Sequence, residues 1–297
     1  MNNKISFLLL GKKGYTVLLS ILDGYKFLID TIVVAHDGGV DNDYNSEIRE
    51  ICYQHSINCI SKEQSDNYLK NFTGYLFAIG WRWMVSSNSN LIVIHDSLLP
   101  KYRGFSPLVN ALINGDTEIG ATALHGAEEY DKGHIIASQS IRISYPIKIS
   151  TAIDQVSTLY AAIVKDILNN LSSGNQLDSM PQDDSAATYS LWRDEKDYFI
   201  DWTRSAKEIE RFVDAVGEPY LGARCYVNGV LGIVNSVESL PDLYVCDRFN
   251  AIGKVINIVN DKPVIVCREG LLKITEMYSD SGESLLPLKK FRVRFSS

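Results

Sequence analysis

Short apolar runs alternate with amphipathic segments along the first half of the chain. Runs rich in β-branched and other apolar residues predict strands at 5–10, 27–35, 57–60, 75–79, 91–94, 121–124 and 135–143. Apolar residues at helical spacing predict helices at 15–22, 45–55 and 107–114. Strands that alternate with helices are typical of a parallel sheet covered on both faces. The pattern therefore predicts an α/β fold, a Rossmann-like, mostly parallel sheet with flanking helices.

The second half changes character after one long helix. That helix is predicted to follow the capping residue Ser150, because apolar residues recur every three or four positions as far as Ile167. The next segment, 172–189, is rich in Ser, Gly, Asp, Asn and Gln and predicts an interdomain linker. Beyond it, a helix at 205–216 precedes short strands at 224–227, 232–237, 255–259, 264–267 and 271–274. We therefore predict two domains, 1–180 and a smaller β-rich, barrel-like domain at 181–297.

Composition narrows the classes of function. The 297 residues carry a net charge of -7, which argues against broad electrostatic capture of nucleic acid. Apolar runs fall well short of the roughly 20 residues that cross a bilayer, and the first residues resemble no signal peptide. The five cysteines show no zinc-ligand spacing, so we expect no metal site. We expect a cytoplasmic protein that binds neither membrane nor nucleic acid.

Two candidate features follow from the residues alone. The turn Gly11-Lys12-Lys13-Gly14 fits neither dinucleotide nor P-loop patterns, yet Lys12 and Lys13 could meet a ligand phosphate or simply be solvated. His95 closes a predicted strand, and Asp131 lies in the loop after the next predicted strand. In a parallel sheet both strand ends can lie at one edge, which would bring this pair together in a cleft. A structural histidine explains His95 equally well.

The segment from Leu91 to Ile136 closely resembles the signature of the N10-formyltetrahydrofolate-dependent formyltransferases. The matching residues are His95, Ser97, Leu98, Leu99, Pro100, Arg103, Gly104, Asn114, Gly115, Gly120, Thr122, Asp131 and Gly133. The resemblance continues at 187–189, 200–202, 205–206 and 220–223, as in the C-terminal domain shared by methionyl-tRNA formyltransferase and the sugar N-formyltransferases. It implies an N-formyltransferase with N10-formyltetrahydrofolate as formyl donor.

The resemblance also implies roles for residues. His95 would stabilise the oxyanion, and Asp131 would orient His95 and assist removal of the amine proton. The pterin would bind against the cofactor residues Gly80, Trp81, Trp83, Met84, Leu99, Pro100, Glu128, Glu129 and Tyr130. The acceptor would pass Ser97, Lys101, Tyr102 and Arg103, besides Lys12 and Lys13. Arg103 would grip a phosphate or carboxylate, or else only stabilise its own turn.

One position departs from the family pattern. The family's catalytic asparagine stands two residues before the histidine, where this chain has Val93. Valine offers no hydrogen-bond donor, and the loss of one oxyanion donor typically costs about 100- to 1,000-fold in rate. A non-catalytic protein that binds folate or a nucleotide sugar is therefore one alternative, and a formyltetrahydrofolate hydrolase is another.

The acceptor is inferred from charge. Methionyl-tRNA formyltransferases carry a long basic insertion after the second strand, whereas the corresponding loop here, 35–44, is short and acidic. A basic cluster at Lys289, Lys290, Arg292 and Arg294 is explained by a solvated edge strand as well as by RNA contact. The resemblance thus favours a nucleotide-linked amino sugar for bacterial surface glycans, with a UDP-linked pseudaminic acid precursor as one candidate, and a homodimer. Methionyl-tRNA stays open as the alternative acceptor.

Overall fold

A computed structural model of the protein describes residues 4–85 and 90–297. In chain order, its strands up to residue 142 are β1 (Ile5–Leu9), β2 (Ile29–Val34), β3 (Asn58–Ser61), β4 (Tyr75–Ile79), β5 (Asn90–His95), β6 (Arg103–Gly104), β7 (Glu118–His125) and β8 (Ile135–Arg142). Its helices up to residue 172 are α1 (Gly11–Tyr25), α2 (Asn45–Gln54), α3 (Asp66–Asn71), α4 (Pro107–Asn114) and α5 (Ile149–Ser172). The predicted alternation of strands and helices is confirmed.

Seven of these strands form one sheet in the order β3-β2-β1-β4-β5-β7-β8. The first five strands in that order pair in parallel. Strands β7 and β8 each pair antiparallel with the preceding neighbour. The predicted mostly parallel sheet is thus confirmed, with an antiparallel edge that the periodicity did not indicate, because alternation marks a strand without giving its direction.

Burial explains why these segments adopt their structures. All five residues of β1 are buried, as a central strand covered on both faces requires. Helix α1 buries the stripe Gly14, Val17, Leu18, Ile21 and Leu22, which recurs every three or four residues. The apolar side chains of the sheet and its helices therefore form the core of this part of the chain.

Three local expectations need correction. The strand predicted from residue 27 begins at Ile29, because 26–28 form a 3₁₀ turn in which Phe27 is exposed. The long helix begins at Ile149, so Ser150 lies within its first turn rather than preceding it. The short helix α3 was not predicted, since its six residues carry too few apolar positions to show a period.

The remaining elements are β9 (Tyr189–Ser190), α6 (Ala206–Val216), β10 (Ala223–Val227), β11 (Val230–Leu240), α7 (Arg248–Ala251), β12 (Val255–Val259), β13 (Lys262–Val266), β14 (Leu271–Tyr278) and β15 (Phe295–Ser296). Six of the strands form an antiparallel sheet, β12-β13-β14-β11-β10-β15. Helix α6 begins with a capping box in which Ser205 and Glu208 exchange hydrogen bonds. The predicted β-rich C-terminal part is confirmed. All four residues of the basic cluster at 289–294 precede the edge strand β15.

The chain divides into two compact units. One comprises residues 1–108, 118–143 and 151–191, and the other comprises 109–117, 144–150 and 192–297. Much of the segment predicted as a linker belongs to the first unit, since Met180 pairs with Ile135 and β9 pairs with β6. A domain boundary after residue 180 stays a prediction. Among the residues described, no helix combines the length and the apolar character needed to cross a membrane.

Candidate active site

The ring of His95 is held at the carboxyl end of β5, where it is 8% exposed. Its Nε2 lies 2.8 Å from the carbonyl oxygen of Tyr102. A carbonyl only accepts hydrogen bonds, so Nε2 carries a proton and donates it. The other nitrogen, Nδ1, faces Oδ1 of Asp131 at 3.5 Å. Any second proton on the ring therefore sits on Nδ1, beside the carboxylate.

The carboxylate of Asp131 is oriented by a backbone donor. Its Oδ2 accepts a hydrogen bond of 2.8 Å from the amide of Gly104, and its side chain is 11% exposed. The structure brings Asp131 to His95 as expected, but for a different reason. Because β7 runs antiparallel to β5, its last residue, His125, pairs with Ile92 near the start of β5. The following loop, 126–134, must therefore extend back toward His95.

Two glycines permit this close arrangement. Gly104 has a φ of +102°, and a Cβ there would lie 2.5 Å from the carbonyl oxygen of Ser190. A Cβ at Gly133 would lie 1.7 Å from the carbonyl oxygen of His125. Real Cβ atoms do not approach an oxygen so closely, so only glycine fits either position.

The turn after His95 is held by hydroxyl groups. Ser97 Oγ donates to the carbonyl of Lys101 at 2.6 Å. Thr122 Oγ1 donates to the carbonyl of Ser97 and accepts from the amide of Leu99. Ser97, predicted to meet the acceptor, is therefore buried and engaged within its own turn. The role of Thr122 was missed, although the residue stood in the recognised motif.

Three of the four cations predicted to bind the acceptor are paired within the chain. Lys12 forms an ion pair with Asp154, and Lys13 forms one with Asp96. By contrast, the Lys101 ammonium is exposed and has no hydrogen bond or ion pair to any described residue.

Arg103 corrects an expectation. It is 1% exposed and forms a 2.7 Å ion pair with Asp184, so its guanidinium is not presented to an acceptor. Its Nε and Nη2 also donate to Gln182 Oε1. Arg103 stabilises its own turn, which was the alternative interpretation. Sequence alone could not show this, because the partners lie about 80 positions away.

A buried polar cluster lies directly beside His95. The carboxylate of Asp96 forms an ion pair with the ammonium of Lys13 and accepts a hydrogen bond from the hydroxyl of Tyr160. The same hydroxyl also lies 2.7 Å from the carbonyl oxygen of Ile94. Burial by itself would raise the pKa of Asp96, but the Lys13 charge and these hydrogen bonds hold the pKa below its ordinary value. This cluster was not predicted from the sequence.

An exposed aromatic surface begins next to His95. Ile79, the last residue of β4, pairs with Ile94, so the loop that starts at Gly80 begins beside the histidine. In that loop the rings of Trp81 and Trp83 lie 5.1 Å apart in an edge-to-face contact, and Trp83 is 37% exposed. Met84 is also exposed. Flat apolar surface of this kind suits a pterin ring.

The other residues predicted to bind the donor lie near the Asp131 loop or in the turn after His95. Glu128, Glu129 and Tyr130 are exposed, and Glu129 pairs with Lys132 at 2.5 Å. The Tyr130 ring contacts Phe105, with centroids 5.6 Å apart. Leu99 is buried and Pro100 half-buried. These residues leave an aromatic edge open beside Asp131.

Val93 faces an apolar environment. It pairs with Ala78 on one side and Leu124 on the other, and it packs against the core cluster that includes Phe72 and Leu76. Among the described residues, packing against this apolar cluster accounts for a half-buried valine at this position.

This fold and site define an α/β protein with a His–Asp pair at one edge of a mostly parallel sheet, followed by an antiparallel sheet. Residues 72–164 match the family model described as formyl transferase, and residues 193–291 match that of the formyl transferase C-terminal domain. The two matches together cover well over half of the chain. The chain belongs to the formyltransferase family.

Among curated relatives, the chain is 40% identical over 122 residues to the methionyl-tRNA formyltransferase of Staphylococcus epidermidis, covering 41% of this chain and 39% of that enzyme. The match thus spans well under half of that relative's length.

Among solved structures, the N-formyltransferase from Helicobacter canadensis, in complex with folinic acid and dTDP-3-aminofucose, is similar to this chain. The TM-score is 0.69 and the identity 14%, and the match covers 91% of this chain and 98% of that one. The sugar 3N-formyltransferase WlaRD, with dTDP and 5-N-formyl-tetrahydrofolate, gives 0.64 and 15%, covering 98% and 99%. At these identities the structural matches show a shared fold.

Proposed function

We propose that the protein transfers a formyl group from N10-formyltetrahydrofolate to the exocyclic amine of a nucleotide-linked amino sugar. The observation that carries this proposal is the His95–Asp131 pair, held at the sheet edge in a chain of the formyltransferase family. The likeness in fold to enzymes solved with folates and dTDP sugars supports the choice of donor and acceptor.

The donor would supply an activated formyl carbon to a neutral amine. Trp81, Trp83 and Met84 would hold its pterin on the exposed apolar surface beside His95. Because Nε2 of His95 donates its proton to the Tyr102 carbonyl, the ring would have to carry a second proton, on Nδ1, to stabilise the charge that develops on the formyl oxygen.

Asp131 would complete the proton transfer. Its Oδ1 faces His95 while its Oδ2 is fixed by the Gly104 amide, so the carboxylate is oriented before any ligand binds. As the new carbon–nitrogen bond forms, the amine loses a proton to this carboxylate, directly or through water. The bond to N10 then breaks, and N10 takes up a proton, so that the donor leaves as tetrahydrofolate.

The proposal is tested by mass spectrometry. Purified protein is incubated with N10-formyltetrahydrofolate and a panel of UDP- and dTDP-linked amino sugars, while tetrahydrofolate release is followed. We expect one sugar to gain one formyl group, the gain to be lost in His95→Asn, and the rate to fall by about 100- to 10,000-fold in Asp131→Asn. Binding of folate without transfer to any sugar would contradict the proposal and support the non-catalytic alternative. Release of formate without an acceptor would indicate a hydrolase.

A second candidate is transfer to methionyl-tRNA. It is supported by the 40% identity to a methionyl-tRNA formyltransferase over 122 residues. The acidic loop 35–44 opposes it, because three aspartates and no lysine or arginine would face a phosphate backbone there.

A further inference from the structure

The Asp131 carboxylate depends on a loop that needs support from outside. Asp131 has a φ of +55°, which lies in the left-handed region that residues other than glycine seldom adopt. The five residues before it, 126–130, are exposed. Something must therefore hold the backbone on both sides of the carboxylate.

The side chain of Gln182 makes that connection. Its Nε2 donates to the carbonyl oxygens of Asp131 at 2.7 Å and Gly133 at 2.8 Å. Its Oε1 accepts from Nε of Arg103 at 3.0 Å and from Nη2 at 2.8 Å. An amide has two hydrogens to donate and two lone pairs to accept with, and all four are used.

The orientation of this amide is fixed by its partners. A guanidinium only donates and a carbonyl only accepts, so the oxygen must face Arg103 and the nitrogen must face the loop. The neighbourhood is anchored as well. Met180 exchanges two 2.8 Å backbone hydrogen bonds with Ile135, and the amide of Arg103 donates to the carbonyl of Thr188.

We infer that Gln182 is a positioning residue that holds Asp131 in register with His95. Gln182 connects the loop that contains Asp131 with Arg103. Arg103 precedes Gly104, whose amide donates a hydrogen bond to the Asp131 carboxylate. The kinetic consequence of this inference rests on the proposed function, whereas its structural consequence rests on these contacts alone.

The test uses Gln182→Met, which keeps the length of the side chain but removes all four hydrogen bonds. Misplacement of a catalytic group by about 1 Å can cost about 100-fold. We expect kcat to fall between about 10- and 100-fold, with KM for donor and acceptor within twofold of the wild type. Asp184→Asn is the matched control, because it alters the same arginine without touching the Asp131 loop, and it is expected to keep wild-type kcat.

A merely structural role is separated by combining Gln182→Met with Asp131→Asn. If Gln182 acts through Asp131, adding Gln182→Met to the Asp131→Asn variant lowers kcat less than threefold. An equal loss in both backgrounds, or a folded Gln182→Met protein with unchanged kcat, would overturn the inference. Gln182→Glu, which keeps the acceptor for Arg103 but lacks the two donors, serves if the methionine variant does not fold, and the same outcomes apply.

One readout needs no substrate. The ring resonances of His95 are followed by NMR of histidine-labelled protein, in which the five histidines are assigned by substitution. We expect Gln182→Met to move the His95 ring resonances, as Asp131→Asn does, and Asp184→Asn to leave them unchanged. Unmoved His95 resonances in folded Gln182→Met contradict the inference even where no sugar is formylated, so its failure is distinguishable from failure of the proposed function.

Discussion

The two nitrogens of His95 have different tasks because their partners differ. Nε2 is committed to the carbonyl of Tyr102, and Nδ1 faces Asp131. The ring is therefore fixed in plane and tautomer without help from the position of the family's asparagine. At that position, Val93 contributes packing instead of a hydrogen-bond donor.

Substitution of Val93 by asparagine tests this interpretation. Val93→Asn would place an amide against the apolar cluster that includes Phe72 and Leu76, at a half-buried position. A fully buried unsatisfied polar group costs about 1–3 kcal/mol, so at this half-buried position we expect the free energy of unfolding to fall by about 1 kcal/mol. Urea denaturation measures it, with Val93→Ile as an apolar control. Unchanged stability together with a raised kcat would show that the side chain faces the reacting groups.

Lys101 differs from the other predicted acceptor cations. Lys12, Lys13 and Arg103 all have carboxylate partners, whereas the exposed Lys101 ammonium has none among the described residues. We expect Lys101→Ala to raise KM for the nucleotide sugar about tenfold with kcat unchanged, because it removes a charge that binds substrate and transition state alike. Steady-state kinetics measures this, with exposed Lys207→Ala as control. An unchanged KM would remove Lys101 from the acceptor site.

At the scale of elements, the Asp96 cluster joins three pieces of the fold. Asp96 follows β5, Lys13 lies on α1 and Tyr160 lies on α5. The Asp96 carboxylate and the Lys13 ammonium are 14% and 15% exposed, so solvent screens this pair little. A second pair, Lys12 and Asp154, joins the same two helices but is 39% and 53% exposed. The two pairs form a natural comparison.

We expect Asp96→Asn to lower the free energy of unfolding by about 3 kcal/mol, because it leaves the Lys13 charge buried without its partner. Asp154→Asn, at the exposed pair, should cost under about 1 kcal/mol. Denaturant unfolding at neutral pH measures both. Equal effects would show that burial does not distinguish the pairs.

The same cluster predicts a pH dependence. Since the pKa of Asp96 is lowered in the folded protein, its contribution is complete above the ordinary carboxyl value of 3.8. It is lost as the pH falls below that value, through the lowered pKa of the folded state. We therefore expect the free energy of unfolding, measured as a function of pH, to fall less steeply at acid pH in Asp96→Asn than in the wild type.

At the scale of the whole molecule, the order of elements could be predicted from the sequence, whereas their long-range contacts could not. Periodicity located β4 at its true bounds and β5 to within one residue at each end. It could not show that β7 runs antiparallel to β5, which places Asp131 by a returning loop rather than by a strand end.

The contacts of the segment predicted as a linker could not be predicted for a related reason. Its polar composition indicated a solvated segment, yet Gln182 uses its polarity to bind carbonyls and a guanidinium of the first unit. Composition measures polarity but does not identify the partner. The motif residues His95 and Asp131 were found because their local spacing is distinctive, and the network that supports them was not.

At the scale of the whole molecule, we expect the distribution of charge to favour a sugar acceptor over a tRNA acceptor. The net charge is -7, and in the loop 35–44 the aspartates also shape the backbone: Asp43 accepts from His36 and from the amides of Asp37 and Asn45, and Asp37 pairs with Arg82. Asp37 and Asp43 are thus engaged within the protein, and the loop offers no lysine or arginine that would attract an RNA backbone.

We therefore expect no formylation of charged initiator tRNA and no gel shift at moderate salt. The methionyl-tRNA formyltransferase of Staphylococcus epidermidis, assayed in parallel, is the positive control. Binding that is seen only at low salt would not support RNA recognition, because non-specific electrostatic binding grows steeply as salt is removed. Transfer to methionyl-tRNA at moderate salt, at a rate near that of the control enzyme, would replace the sugar acceptor with tRNA. The roles of His95, Asp131 and Gln182 would stay intact, since they concern the formyl group and the attacking amine, which both acceptors share.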